Sequence, residues 1–355
     1  MKNLTRPFTR RVWLAAVAVT AAVAAGIVAG PGSATPPVRA DYSPYPPKAA
    51  KFKAPKLKQG TLTVTGTKRS DKITLRLQAG DPDILQVDFG DDGSADFSFE
   101  RSKIAKIVVK ARAGADQVRI DENNGLFTDS IPTTLDGGDG NDTIAGGKGI
   151  ETLLGGYGSD SIDGNGGNDL ARLGAGDDTF TWDPGDGSDT IDGRSGNDTM
   201  RFNGAAAAEQ INLSANGSHL KFTRDVASIT MDTVGVERVD FNALGGADAV
   251  TVNDLTGTDV NSVNVDLAGA LGGATGDGVA DRVIVNGTAG NDAIDVSGDA
   301  NVVKVSGLAA TTKILHPEAA NDRLEVNTLA GADTVATVGL VPGSIQLLVN
   351  GVLVP

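Results

Sequence analysis

Residues 135–147 read LDGGDGNDTIAGG. Glycine and carboxylate alternate there so densely that neither a helix nor an ordinary strand accounts for the stretch. Written in nines from residue 137 it opens a series: GGDGNDTIA, GGKGIETLL, GGYGSDSID, GNGGNDLAR and LGAGDDTFT, then, after Trp182 and Asp183, PGDGSDTID and GRSGNDTMR. The sixth positions are Asp142, Glu151, Asp160, Asp169, Asp178, Asp189 and Asp198, and the eighth are Ile144, Leu153, Ile162, Ala171, Phe180, Ile191 and Met200. An acid and an apolar residue recurring at fixed offsets are the mark of a repeat architecture.

The pattern resembles the GGxGxDxUx nonapeptide of the RTX, or hemolysin-type, calcium-binding repeat family. The resemblance covers residues 137–201 and implies a parallel β-roll there. The residues point the same way. A tail such as TIA or TLL is long enough only for a very short strand, and the glycines permit the positive φ of a tight turn. Two units make one coil, so the turns stack in two rows and the eighth-position side chains form a thin inner core. Strands about 4.8 Å apart bring successive turns together, and carboxylates and glycine carbonyls converge between them as the hard-oxygen set Ca²⁺ prefers.

Row one is expected to run through 137–142, 155–160, 173–178 and 193–198, and row two through 146–151, 164–169 and 184–189. The candidate metal-binding residues are Gly137, Gly138, Gly140 and Asp142; Glu151; Gly155, Gly156, Gly158 and Asp160; Gly164, Gly167 and Asp169; Gly174, Gly176 and Asp178; Gly187 and Asp189; and Gly196 and Asp198. Three gaps in one row and two in the other predict about five Ca²⁺ ions. Ile150, Glu151, Leu173 and Pro184 depart from the consensus and weaken their rungs, while the two-residue insertion is expected to bulge outward, with Trp182 covering the edge of the roll or stacking on carbohydrate. The competing reading is that these aspartates only cap turns. Against it, residues 135–201 hold fourteen acids and four bases. Such a ladder repels itself and buries little apolar surface, so the block is expected to be disordered without Ca²⁺ and to fold on binding it.

Elsewhere the composition sets limits. The 355 residues include 47 glycines and no cysteine, and only 4% are aromatic, so the core is built from aliphatic side chains without disulfides or thiolate metal sites. MKNLTRPFTRR followed by the apolar run 12–30 has the layout of a secretory signal over 1–40, with cleavage after Ala34 or Ala40 and an uncleaved anchor as the alternative. Thr9 to Leu14 also resemble a twin-arginine signal, although a calcium-dependent roll suits general secretion better. Cutting after Ala40 leaves 26 bases and 45 acids. That balance disfavours nucleic acid and anionic membranes, and leaves no membrane span. Residues 41–59, rich in Pro and Lys, read as an extended tether, with envelope contact as the alternative.

The flanks, 60–134 and 202–355, share a longer outline. GTKRSDKITL (66–75) leads to ARAGADQVRI (111–120), GAAAAEQINL (204–213) to ALGGADAVTV (243–252), and GTAGNDAIDV (287–296) to LAGADTVATV (329–338). The opening and closing acids lie 45, 39 and 41 residues apart, with alternating runs such as ILQVDF, HLKFTR and VVKVSG between them. This patterning predicts strands. The whole is therefore read as all-β, a parallel β-roll or β-solenoid (135–201) flanked by larger solenoid or sandwich-like segments. Asp116, Asp248, Asp292 and Asp333 sit in the same local grammar and read as turn formers, with isolated calcium ligation as the alternative. DFGDDGSAD (88–96) lacks the closing Glu of an EF-hand and reads as an acidic hairpin turn.

No catalytic constellation is visible. His219 and His316 are the only histidines, neither lies in HExxH, and there is no GxSxG elbow. The expectation is a secreted, extracellular, non-enzymatic calcium-binding protein with a structural, envelope or adhesion role, an extracellular polysaccharide being a candidate partner. The alternative is a polysaccharide lyase or epimerase on a parallel β-helix with an RTX module.

Overall fold

The computed structural model describes residues 52–355, so the signal segment and residues 41–51 of the tether lie outside the described residues. Two long sheets, of fifteen and fourteen strands, face each other, and the chain passes from one to the other at nearly every turn. Within the repeat block each of the seven units contributes one strand, and Thr133–Asp139 leads into the first. Thr133–Asp139, Glu151–Tyr157, Leu170–Ala175 and Thr190–Ser195 stack in parallel in the first sheet, and Thr143–Ala145, Ser161–Asp163, Thr179–Trp182 and Thr199–Asn203 in the second. Two nonapeptides thus make one coil, in the two rows expected.

Alternation decides which side chains go inside. Leu135, Leu153, Ala171 and Ile191 pair in register on the first sheet, and Val118, Ile144, Ile162, Phe180, Met200, Val239 and Val263 on the second, all fully buried. Every eighth-position residue belongs to these two inner files. Leu173, in place of the first glycine, also points into the core.

The flanks continue the solenoid and are not sandwich-like. Each of the three long segments is an antiparallel meander inserted into a rung. Lys72–Gln78, Asp81–Phe89 and Phe97–Glu100 form the first, Gln210–Asn216, His219–Arg224 and Ile229–Val234 the second, and Ala293–Gly298, Val302–Ser306 and Thr311–Leu315 the third. The alternating runs quoted above are the middle strands. In each case the strand after the closing acid lies parallel to the strand after the opening acid. The 88–96 stretch is the expected hairpin turn, its Asp88 carboxylate bonded to Arg76 at 2.8 Å and to the N–H of Gly93 at 3.0 Å. The tether's end is ordered: Lys56–Lys58 pairs antiparallel with Thr61–Thr65, and Phe52 stacks on Phe89, so the apolar surface of the first rung is covered. Among the described residues, no helix is long and apolar enough to cross a membrane.

Of the two inserted residues Asp183 is exposed, but Trp182 does not bulge outward. Thr179–Trp182 continues the in-out alternation of Phe180, so Trp182 enters the core fully buried, stacks on Phe202 at 3.9 Å and donates its indole N–H to Gly187 O. This burial removes carbohydrate stacking. Phe222 and Phe241 complete an aromatic cluster beneath the second meander. Beside it the Arg224 guanidinium lies over the Trp182 ring and pairs with the buried Glu209 carboxylate. Arg224→Met is expected to destabilise the protein by about 3–5 kcal/mol by stranding a buried carboxylate. Adding Glu209→Gln should restore most of that loss. Urea unfolding of the single and double variants checks both.

Candidate metal centre

The turns joining the two sheets carry the candidate ligands. In 137–142, 155–160 and 173–178 the second and fourth residues are glycines with φ between 109° and 132°. A side chain at Gly156 would be strained by that φ and would overlap the carbonyl oxygen of Gly138 one rung below. The fourth-position carbonyls stack likewise: those of Gly114, Gly140, Gly158 and Gly176 face Gly140, Gly158, Gly176 and Gly196 in turn. In row two the carbonyls of Gly149 and Gly167 face Gly167 and Gly187.

The sixth-position acids form a ladder. The backbone N–H of Asp142 donates to Asp160 Oδ1 at 2.7 Å, that of Asp160 to Asp178 Oδ1 at 2.7 Å, and that of Asp178 to Asp198 Oδ1 at 2.9 Å. In row two, Glu151 donates to Asp169 Oδ1 and Asp169 to Asp189 Oδ1, at 2.7 and 2.8 Å. The row-two register therefore survives the insertion. These bonds reach the neighbouring rung, so the carboxylates do more than cap their own turns. The other oxygen, Oδ2 of Asp142, Asp160, Asp169, Asp178, Asp189 and Asp198, is buried without a hydrogen-bond partner. The first-position glycines lie against it: a methyl on Gly137, Gly155 or Gly164 would meet Oδ2 of Asp142, Asp160 or Asp169.

Burial without a partner disfavours the charged form. It pushes Asp142, Asp189 and Asp198 up to about 7, Asp178 to about 6 and Asp169 to about 9, with neighbouring carboxylates adding to the effect. Asp160 and Glu151 rise for the same first reason. A cation beside these oxygens would remove the penalty.

The donor set fits a hard cation. Among the described residues no three acidic, imidazole or thiol side chains converge on one point. Each rung instead offers a bare carboxylate oxygen and a column of carbonyls, the all-oxygen mixture that suits Ca²⁺. Glu151 departs from its neighbours. Gly147 and Gly149 lack positive φ, Gly147 N–H donates to Glu151 Oε2, and only Oε1 stays without a partner. The 184–189 turn is intermediate, with Gly185 but not Gly187 at positive φ.

The ladder extends beyond the expected rows. Asp71 N–H donates to Asp116 Oδ1 and Asp116 N–H to Asp142 Oδ1, both at 2.7 Å, and Asp198 N–H donates to Glu237. A separate file runs from Glu209 through Asp248 and Asp281 to Asp322, and Asp292 bonds to Asp333. The opening and closing acids of each meander are thus direct partners, which is why they recur 45, 39 and 41 residues apart. Asp281, Asp322 and Glu237 were not legible as ladder members. For Asp281 the signal was present, since Gly276 precedes it by the same five residues.

The RTX calcium-binding nonapeptide repeat model matches residues 134–150, 146–180 and 185–204, in four copies. No curated protein matches the chain. The matched residues are those that build the paired rows of turns and bare carboxylate oxygens, and the chain therefore carries RTX calcium-binding nonapeptide repeats folded as a Ca²⁺-binding β-roll.

Proposed function

We propose that this is a secreted calcium-binding protein whose roll becomes ordered on binding about five Ca²⁺ ions, and that it serves a structural, envelope or adhesion role without catalysis. One observation carries the reading: six buried aspartate oxygens of the repeat block have no partner, on strands that each bury only one or two apolar side chains. Ion-free, such rungs combine repulsion and desolvation with a thin core. RTX repeat proteins are typically secreted, which agrees with the reading of residues 1–40 as an export signal.

One observation supports a non-catalytic role. The open trough on the first sheet contains Arg224 and Arg282, but Arg224 is committed to Glu209 and Arg282 to Glu325 at 2.8 and 2.6 Å. A lyase or epimerase needs a free cationic group beside a base.

Hydrogen exchange on the full chain tests the coupling. On chelation, amides of 137–203 should lose protection and the far-UV β signal should fall, with both restored by Ca²⁺. Protection unchanged by chelator, or by Asp160→Ala with Asp178→Ala, would leave turn capping as the only role of these acids.

The pH dependence has a definite sign. Carboxylates raised by burial favour the ion-free fold while protonated, below their ordinary range near 4, and that contribution is lost as pH rises through about 6 to 9. In chelator the β signal should therefore strengthen on acidification from about pH 8 to about pH 5, whereas with excess Ca²⁺ it should be full at about pH 8, since protons compete for the same oxygens. A signal in chelator indifferent to pH would contradict this.

Incubation with anionic and neutral polysaccharides should give neither chain cleavage nor epimerisation. Turnover abolished by substitutions in the flanks would establish the enzymatic alternative.

A further inference from the structure

Most acid-bearing turns fall into two conformations. In 66–71, 146–151, 204–209, 287–292 and 317–322 no residue has positive φ, and the second residue's N–H donates to the turn's own acid: Thr67 to Asp71, Gly147 to Glu151, Ala205 to Glu209, Thr288 to Asp292 and Glu318 to Asp322. Thr67 and Thr288 add a hydroxyl bond to the second oxygen. Asp71 and Asp292 are thereby satisfied by the chain itself.

In the other conformation the second and fourth residues both have positive φ, and the second N–H does not reach the acid. Outside the matched repeats, turns 111–116, 243–248 and 328–333 adopt it, with Arg112 at 93° and Gly114 at 126°, Leu244 at 68° and Gly246 at 112°, and Leu329 at 64° and Gly331 at 133°, but Asp333 is only half-buried. Asp116 and Asp248 are each 2% exposed, and Oδ2 of each is without a partner, as in the roll. The carbonyls of Arg112 and Gly114 face Gly138 and Gly140 in the same column that continues up row one. Ala111 stands where the roll has its first glycine, yet the oxygen remains bare.

We propose that Asp116 and Asp248 each hold a further divalent cation outside the repeat block, Asp116 together with the 137–142 turn and Asp248 within the Glu209-to-Asp322 file, while Asp71 and Asp292 hold none. This rests on the calcium reading of the roll. It makes the closing turn of each of the first two meanders a metal site and every opening turn metal-free.

Native mass spectrometry and equilibrium dialysis of the full chain with Ca²⁺ count the ions. Asn at position 116 or 248 keeps an oxygen for the incoming N–H but loses the charge. Asp116→Asn and Asp248→Asn should each lower the count by one, and Asp71→Asn and Asp292→Asn should leave it unchanged. An undiminished count in the first pair, or an equal loss in the second, overturns the proposal while leaving the roll's own ions in place. No bound Ca²⁺ in the wild type overturns the roll reading itself. Should Asn at 116 or 248 unfold the chain, hydrogen exchange of the wild type decides: Ca²⁺ must slow exchange in 111–121 and 243–252 and leave 66–71 unchanged, and equal behaviour of the three segments overturns the assignment.

Discussion

A carboxylate that accepts the backbone N–H of the acid one rung away holds the turns of this solenoid in register. The bond requires the acids to stack at strand spacing, about 4.8 Å, at every rung. It uses one oxygen and buries the other. Stacking therefore brings a column of like charges into a poorly solvated edge, and the rest of the molecule can be understood as different ways of neutralising that column.

The flanks supply part of their own neutralisation. Thr67 and Thr288 satisfy both oxygens of Asp71 and Asp292, and Arg224 places a guanidinium against Glu209. Arg76 does the same for the buried Asp88 inside the first meander. The meanders also thicken the core: Phe222 on a middle strand joins Trp182, Phe202 and Phe241, whereas strands such as Thr143–Ala145 bury a single side chain. The repeat block has no meander and, Glu151 apart, no acid satisfied within its own turn. Gly138, Gly156 and Gly174 at position two take positive φ, their N–H groups do not reach the acid, and Oδ2 stays bare. The same glycines stack carbonyls beside it. A turn built this way forgoes internal satisfaction and gains a donor set for a hard cation.

Much of this was legible because the nonapeptide is short and regular. Period, rows, inward eighth positions and the pairing of Asp142 with Asp160 all follow from two units per coil. The acid spacings of 45, 39 and 41 were visible too, but not their meaning, because an antiparallel excursion between two parallel neighbours makes sequence separation a poor guide to rung separation. Asp281 and Asp322 were obscured by the same variability of loop length. The inward turn of Trp182 was readable from alternation alone, since Phe180 and Trp182 are two apart on one strand. Counting the two residues as an insertion concealed it. Which turns cap themselves depends on φ at the second position, and Arg112 and Leu244 show that glycine is no reliable marker of it.

Order along the chain then has a physical consequence. In a solenoid each rung contacts only its neighbours, so stability propagates from rungs that are stable alone. The self-satisfied Asp71 turn lies two rungs below Asp142, and Asp198 bonds upward to Glu237, in the turn that follows the second meander. The charge-laden rungs therefore sit between an end whose acid is satisfied by the chain itself and an end that continues into the second meander. Each end presents a strand edge and a backbone N–H or carboxylate already in register. A cation arriving at the outermost gap needs to order only one further coil against a formed template, which costs less conformational entropy than nucleating a coil in a free chain. On the proposed coupling of Ca²⁺ binding to order, flanks of this kind let the repeat array order inward from both sides.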